Sequence, residues 1–440
     1  DCGYHRKEVH AIVRLFPEFL TMLTLITHAA QIVTPPGRAP RVGAEMGEIV
    51  IIEDGALLAR GGAIVAVGST DDVLRVVPAG EEVEEVEARG GVVLPGFVDA
   101  HTHPVFAGTR EDEYERRARG ATYEEIAAAG GGIRATVRRT RAAGEDEIVA
   151  AGERYARWFL AHGTTTIEAK SGYGLSVADE LKLLRAIRRL GERTALDYVP
   201  TLLGAHEVPD EYRGRREAYL ALVIDEMLPR VAAEKLAEYC DVFCEPSVFT
   251  LDETRRVCHA ARALGFGLRL HADQLARSGA AELAVELGAA SADHLEQIDE
   301  RGIRALGGAS PNCVAVLLPA SVFNLGRRDY PPARRLIEAG VPVALGTDFN
   351  PGSSPTPSMQ LVLSLACTQL GMTPAEAITA ATLNAACSLG RGGRVGALVP
   401  GAQADAVVYD CATYSQIPYF AGVNHARAVV KRGVVWRPDA

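Results

Sequence analysis

No stretch of this chain stays apolar for the ~18–20 residues a helix needs to cross a bilayer, so a helical membrane protein is excluded. Cysteine is sparse and scattered, eight in 440 residues, too few to staple a fold of this length. Cys240 and Cys244 form the one close pair. That spacing suits zinc, but without a second pair nearby they read as ordinary buried thiols. Reduced thiols and no leader-like pattern give the cytoplasm as the expected compartment. Positive charge is in deficit, the formal net charge being −10, which argues against non-specific binding to nucleic acid or to an anionic membrane surface. Internal repeats, low-complexity tracts and long linkers are absent as well.

What is present is an ordinary globular balance, 48% hydrophobic and 23% charged. Residues 1–21 have mixed charge and no clear period, and are expected to be an extension upstream of a natural start at Met22. From Leu23 to Val93 the pattern is short strands (23–26, 31–33, 48–52, 56–59, 63–67) separated by Pro35-Pro36-Gly37, Asp54-Gly55 and Gly61-Gly62, with a hairpin signal among the turn pairs. From residue 94 to about 390 apolar runs alternate with Ala/Arg/Glu-rich helical stretches. The strands fall at 91–98, 164–169, 195–203, 240–244, 267–271, 290–294, 309–317 and 341–346, with helices at 145–162, 177–191, 215–237, 251–264, 276–288 and 330–339. Eight strand-then-helix units predict an α/β fold, a (β/α)8 TIM-like barrel over 94–394. After Gly396 the chain is β again, at 406–409 and 426–436. The tail is expected to pair with the N-terminal strands, making a small β-sandwich from 22–93 and 395–440.

In such a barrel the chemistry sits at the carboxyl ends of the strands. The first strand ends in His101-Thr102-His103, and residues i and i+2 of a strand point the same way, so two imidazoles face one point. His206, His271 and His294 also end strands, too many of the eleven histidines for chance placement. His101, His103 and His271 with the carboxylate of Asp348 can hold a divalent or ferric ion and leave a position for water. Asp348 can also take the water's proton, although an Asp after a strand is equally often a helix cap.

These residues resemble the amidohydrolase superfamily: His-x-His after the first strand, histidines after the fifth and sixth, and Gly346-Thr347-Asp348 after the eighth. Within it the chain is similar to the imidazolonepropionase family of histidine degradation. The likeness is carried by Pro95–Asp99 before the His pair, Phe106–Arg110, Ala127–Ile133, Lys170–Leu175, His271–Leu275 and Asp348–Ser353, and it runs from about residue 22 to the C-terminus. It implies one Zn2+ or Fe3+ per chain on His101, His103, His271 and Asp348. It implies a small-molecule substrate, 4-imidazolone-5-propanoate, opened to N-formimidoyl-L-glutamate, and a homodimer. Arg110 would bind the propionate, unless it is a surface Arg beside Glu111-Asp112-Glu113. Tyr173 and His206 resemble substrate contacts, the latter also readable as a core histidine, and His206 could polarise the ring carbonyl. His294 would position water or shuttle a proton. Asn350, Gly352 and Ser353 would contact the ring. Gly130-Gly131-Gly132 would belong to an active-site loop, or be a hinge. Related aminohydrolases often carry Glu where this chain has Gln274; an amide cannot move protons at neutral pH, so that work falls to Asp348, His294 or His206, while Gln274 can hydrogen-bond the ring. Two rivals stand beside this reading: a heterocyclic-base deaminase, which would want a carboxylate at 274 and no Arg110 clamp, and a metal-free barrel scaffold.

Overall fold

The computed structural model describes residues 22–121, 125 and 130–437. The expected upstream extension, 1–21, and the alanines 127–129 of the glycine-run loop lie outside them. Two sheets organise the chain. The first is built by both ends: β1 (Leu23–Thr34), β2 (Val50–Arg60), β3 (Ala63–Ser69), β4 (Val83–Glu87), β5 (Val92–Pro95), β14 (Ala406–Tyr409), β15 (Ala426–Lys431) and β16 (Val434–Trp436). Its order is β16-β15-β14-β5-β1-β2-β3, with β4 on β1. The expected sandwich is thus one eight-stranded sheet, and side chains from both ends of the sequence, among them Ile26, Ile32, Leu57, Val93, Val408 and Val430, share one core.

The second sheet is the barrel: β6 (Phe97–Asp99), β7 (Thr164–Lys170), β8 (Asp197–Ala205), β9 (Tyr239–Cys244), β10 (Gly267–Ala272), β11 (Ser291–His294), β12 (Val314–Leu317) and β13 (Val343–Leu345), all parallel and in sequence order. Strands covered on both faces need no alternation. Thr164-Thr165-Thr166-Ile167 in β7 is an unbroken β-branched run, every residue of it buried. The helices outside are amphipathic in the usual way. Val177–Arg193 starts at Ser176, whose hydroxyl accepts the Asp179 N–H, and turns Leu181, Leu184, Ile187 and Leu190 inward. The seam between the first and last strands closes just beyond their ends, where Asp348 N–H donates to the His101 carbonyl (3.0 Å) and His103 N–H to that of Phe349 (2.8 Å). The backbone that completes the barrel therefore carries three of the expected ligands.

Four expectations change. The run 91–98 is two strands, because consecutive N–H groups serve different sheets: Gly96 donates to Asp405 (3.0 Å) and Phe97 to Gly163 (2.9 Å). Gly96 is needed at the changeover, since a Cβ there would lie 2.9 Å from Thr165 Cβ. Asp54-Gly55 does not end a strand. β2 runs through it, with Asp54 at φ 43° and Gly55 paired to Ala29 beside a bulge in β1 between Ile26 and Ala29, and the tight hairpin is at Gly61-Gly62 (φ 55° and 81°), between paired Arg60 and Ala63. The helix expected at 215–237 is Arg216–Ala221 and Leu228–Glu234 joined by a wider π turn, Leu222–Met227. The strand expected from 309 begins at Val314, because Ala309 still belongs to the helix Glu300–Ala309.

Candidate active site and metal centre

The carboxyl ends of the barrel strands bring His101, His103, His271, His294 and Asp348 into one buried cluster. His101 Nε2 is 3.3 Å from His103 Nε2, and Asp348 Oδ1 lies 3.6 Å from the first and 3.5 Å from the second. Two ligand-capable triads result, His101-His103-Asp348 and His101-His271-His294, with His101 in both. Asp348 is placed by a left-handed turn (φ 53°), and its loop is laced internally. Asn350 Oδ1 accepts the N–H of Gly352 and of Ser353 (both 2.8 Å), and its amide donates to the Asp348 carbonyl (2.6 Å). The Ser353 hydroxyl donates to Asp348 Oδ2 at 3.2 Å. Asn350 and Ser353 thus hold the Asp348 turn.

Beneath the cluster is a layer of fully buried charge: Glu168, Lys170, Asp241, Arg269 and Asp293. Lys170 Nζ donates to Glu168 and to Asp241 (2.7 Å each), and Arg269 reaches Glu168 (2.9 Å) and Asp293 (3.3 Å). Burial on its own would discharge the Lys170 ammonium, but Asp241, Glu168 and Asp293 outweigh it and raise its pKa. The two aspartates then face upward. Asp293 Oδ2 accepts from His101 Nδ1 (2.7 Å), and Asp241 Oδ2 lies 2.9 Å from His271 Nδ1. A histidine that gives its Nδ1 proton to a carboxylate offers a lone pair at Nε2, as a metal ligand must. The same rings stay neutral: burial lowers His101 well below its usual range and His271 to about 4.

This donor set fits a cation. The Nε2 lone pair of His101 points at a second imidazole nitrogen and a carboxylate oxygen, an assembly of acceptors that a positive ion satisfies. Burial pushes the Asp348 carboxyl up, but His103 and the facing imidazoles prevail and bring it to about 2. His294 differs from His101 and His271. Burial depresses it, yet Glu296 (3.4 Å from Nδ1), Asp348 and Asp293 raise it overall, so it holds a proton more readily than they do.

His206 stacks on His103 (centroids 5.2 Å apart) and contacts Tyr173 (5.4 Å). Its Nδ1 donates to the Gly172 carbonyl (3.0 Å), and burial keeps the ring neutral, so its Nε2 is an acceptor. That suits a ring N–H; polarising a carbonyl would need the imidazolium. Gln274 is half-buried at the rim, where Glu245 accepts its backbone N–H (2.7 Å) and that of Leu275 (2.8 Å). Arg110 is no surface arginine: its side chain is 9% exposed and sits against Gly352. Asp241, Arg269, Glu113 and Glu245 carry no role in the sequence reading. Asp241 and Arg269 are charges inside apolar strand runs, Glu245 directly follows a strand, and Glu113 sits in the acidic first turn of a helix, where pattern reading takes it for a solvated residue.

The profile of the amidohydrolase family matches residues 92–435. The imidazolonepropionase of Solibacter usitatus is 58% identical over 94% of this chain and 99% of its own, and that of Symbiobacterium thermophilum 51% identical over 93% and 96%. An adenosine deaminase from Xanthomonas campestris, solved with bound zinc, shares the fold (TM-score 0.68, 22% identity, 94% of this chain and 92% of that one). The chain belongs to the amidohydrolase family, whose barrel and histidine–aspartate cluster make it a hydrolase of C–N bonds. Within that family its sequence stands among the imidazolonepropionases. No helix among the described residues is long and apolar enough to cross a membrane.

Proposed function

We propose that this chain hydrolyses the ring amide of 4-imidazolone-5-propanoate to N-formimidoyl-L-glutamate, with the residues assigned above. The observation that carries the reading is the juxtaposition of the histidine–Asp348 cluster with a buried guanidinium, Arg110, across the same 348–353 loop. His101, His103, His271 and Asp348 would hold one Zn2+ or Fe3+, which when bound acidifies water toward neutrality and polarises a carbonyl. Asp348 is ionised at neutral pH and takes the proton of the attacking water. His294, the ring that favours the proton, donates toward the developing negative charge on the ring oxygen. His206 accepts a ring N–H through Nε2, and Tyr173 packs beside it. Arg110 pairs with the propionate. As the ring C–N bond breaks, Asp348 returns its proton to the leaving nitrogen, and the water oxygen stays in the new carboxylate. Gln274 contacts the ring without moving protons. The homodimer and the cytoplasmic location implied by the family likeness complete this reading.

The test is turnover of freshly prepared substrate, followed by loss of its ultraviolet absorbance, before and after chelation and after reloading with zinc or iron. Activity lost on chelation and regained on reloading supports the assignment. Turnover that persists in protein shown to be metal-free overturns it.

A further inference from the structure

Arg110 does not stand alone. Glu113, three residues on in the helix Glu111–Ala118, takes two of its five N–H groups, from Nε (2.9 Å) and Nη2 (2.6 Å), on the single oxygen Oε2. Of the acidic run 111–113, only Glu113 is buried. Its other oxygen, Oε1, accepts the backbone N–H of Gly132 (2.9 Å). On the opposite side a Cβ at Gly352 would stand 2.7 Å from Arg110 Cζ, so the bare backbone there lets the guanidinium lie against the loop that carries Asp348. Burying a carboxylate is costly unless it is paired. This one is paired on both oxygens, and it leaves the N–H groups of Nη1 for another acceptor.

We propose that Glu113 is a positioning residue. It fixes which edge of Arg110 faces the substrate carboxylate and ties the Gly130–Gly132 segment to that edge, while Gly352 sets how closely the guanidinium approaches. The proposal rests on the reading of Arg110 as the carboxylate-binding group. It makes the Arg110–Glu113–Gly352 sandwich the determinant that selects a ring compound with an anionic side chain over a neutral one.

The test uses the metal-loaded full chain with Glu113→Gln, Gly352→Ala and Arg110→Ala. It reads kcat and KM for the substrate, and inhibition constants for 3-(imidazol-4-yl)propanoate and its methyl ester. Glu113→Gln keeps an acceptor for Gly132 but loses the charge that orients the guanidinium. Gly352→Ala displaces the same group from the other side, and it carries the test should Glu113→Gln fail to fold. Each is expected to raise KM and the propanoate inhibition constant about tenfold, about 1.4 kcal/mol, with the ester constant unchanged. A kcat within about twofold of the parent is expected for Glu113→Gln. If Arg110→Ala raises KM while Glu113→Gln and Gly352→Ala do not, the positioning role is wrong and the Arg110 reading survives. If Arg110→Ala leaves KM unchanged, the reading beneath the proposal is itself wrong. Acid and ester constants moving together would mean general damage to the site and would also overturn the proposal.

Discussion

Asp293 and Asp241 touch no substrate, yet each fixes the ring of a candidate ligand by its Nδ1. Replacing Asp293 with Asn leaves the shape and removes the charged acceptor that sets the His101 tautomer. The expected outcome is a metal affinity about 10–100-fold weaker, measured by chelator competition at constant pH. An unchanged affinity would reduce the buried layer to packing. Position 274 gives a second check. Gln274→Glu places a titratable group at a half-buried position whose backbone N–H donates to Glu245. Since Asp348 and His294 already move protons in this account, kcat should change by less than about tenfold, well short of the 10²–10⁴ of a missing acid–base group. A larger rise measured at pH 7 would show that proton transfer is limiting and poorly served by the wild-type set.

Among the elements, Gly96 is the most informative. The backbone changes sheets there, and Gly96→Ala would drive a methyl into Thr165. A loss of about 1–3 kcal/mol is expected in urea unfolding of the metal-free protein, the usual cost of overpacking. The same residue shows what sequence reading sees and misses. The barrel was legible because parallel strands covered on both faces appear as apolar runs, and the runs ending at His103, His206, His271, His294 and Asp348 put the polar cluster in view. The change of sheet at Gly96 was not legible, because both halves of 91–98 are equally apolar and hydropathy does not record which neighbour an N–H serves. Asp54-Gly55 misled for a related reason: the pair that makes a turn also fits a left-handed step inside a strand whose partner bulges nearby. The buried salt bridges were invisible because Arg269 meets Glu168 and Asp293, and Lys170 meets Asp241, only once β7, β9, β10 and β11 are side by side. The Arg110–Glu113 contact lay within one helical turn, where an i,i+3 pair is a readable signal.

For the molecule as a whole, the pH dependence of stability follows from the same rings. An unfolded imidazole titrates near 6.5, whereas His271 in the fold is lowered to about 4, chiefly by burial, and His101 and His206 shift the same way. The unfolded chain therefore binds more protons between those values, so stability of the metal-free protein falls as pH drops from about 6.5 toward 4, by roughly 3 kcal/mol for His271 alone. His294, raised in the fold, opposes this in part, since its contribution is present at low pH and lost as pH rises. Urea unfolding in chelator at several pH values checks the slope, and a flat profile would mean that these rings are solvated in solution. The claim on which the rest depends is that this site opens the ring at its amide carbon with water whose proton goes to Asp348. It is tested most directly by turnover of 4-imidazolone-5-propanoate in heavy-oxygen water, wild type beside Asp348→Asn, with products read by mass spectrometry. The account predicts N-formimidoyl-L-glutamate carrying one heavy oxygen in the new carboxylate, and a rate about a thousandfold lower in the variant. Release of ammonia with the ring intact, or full activity in Asp348→Asn, would contradict it.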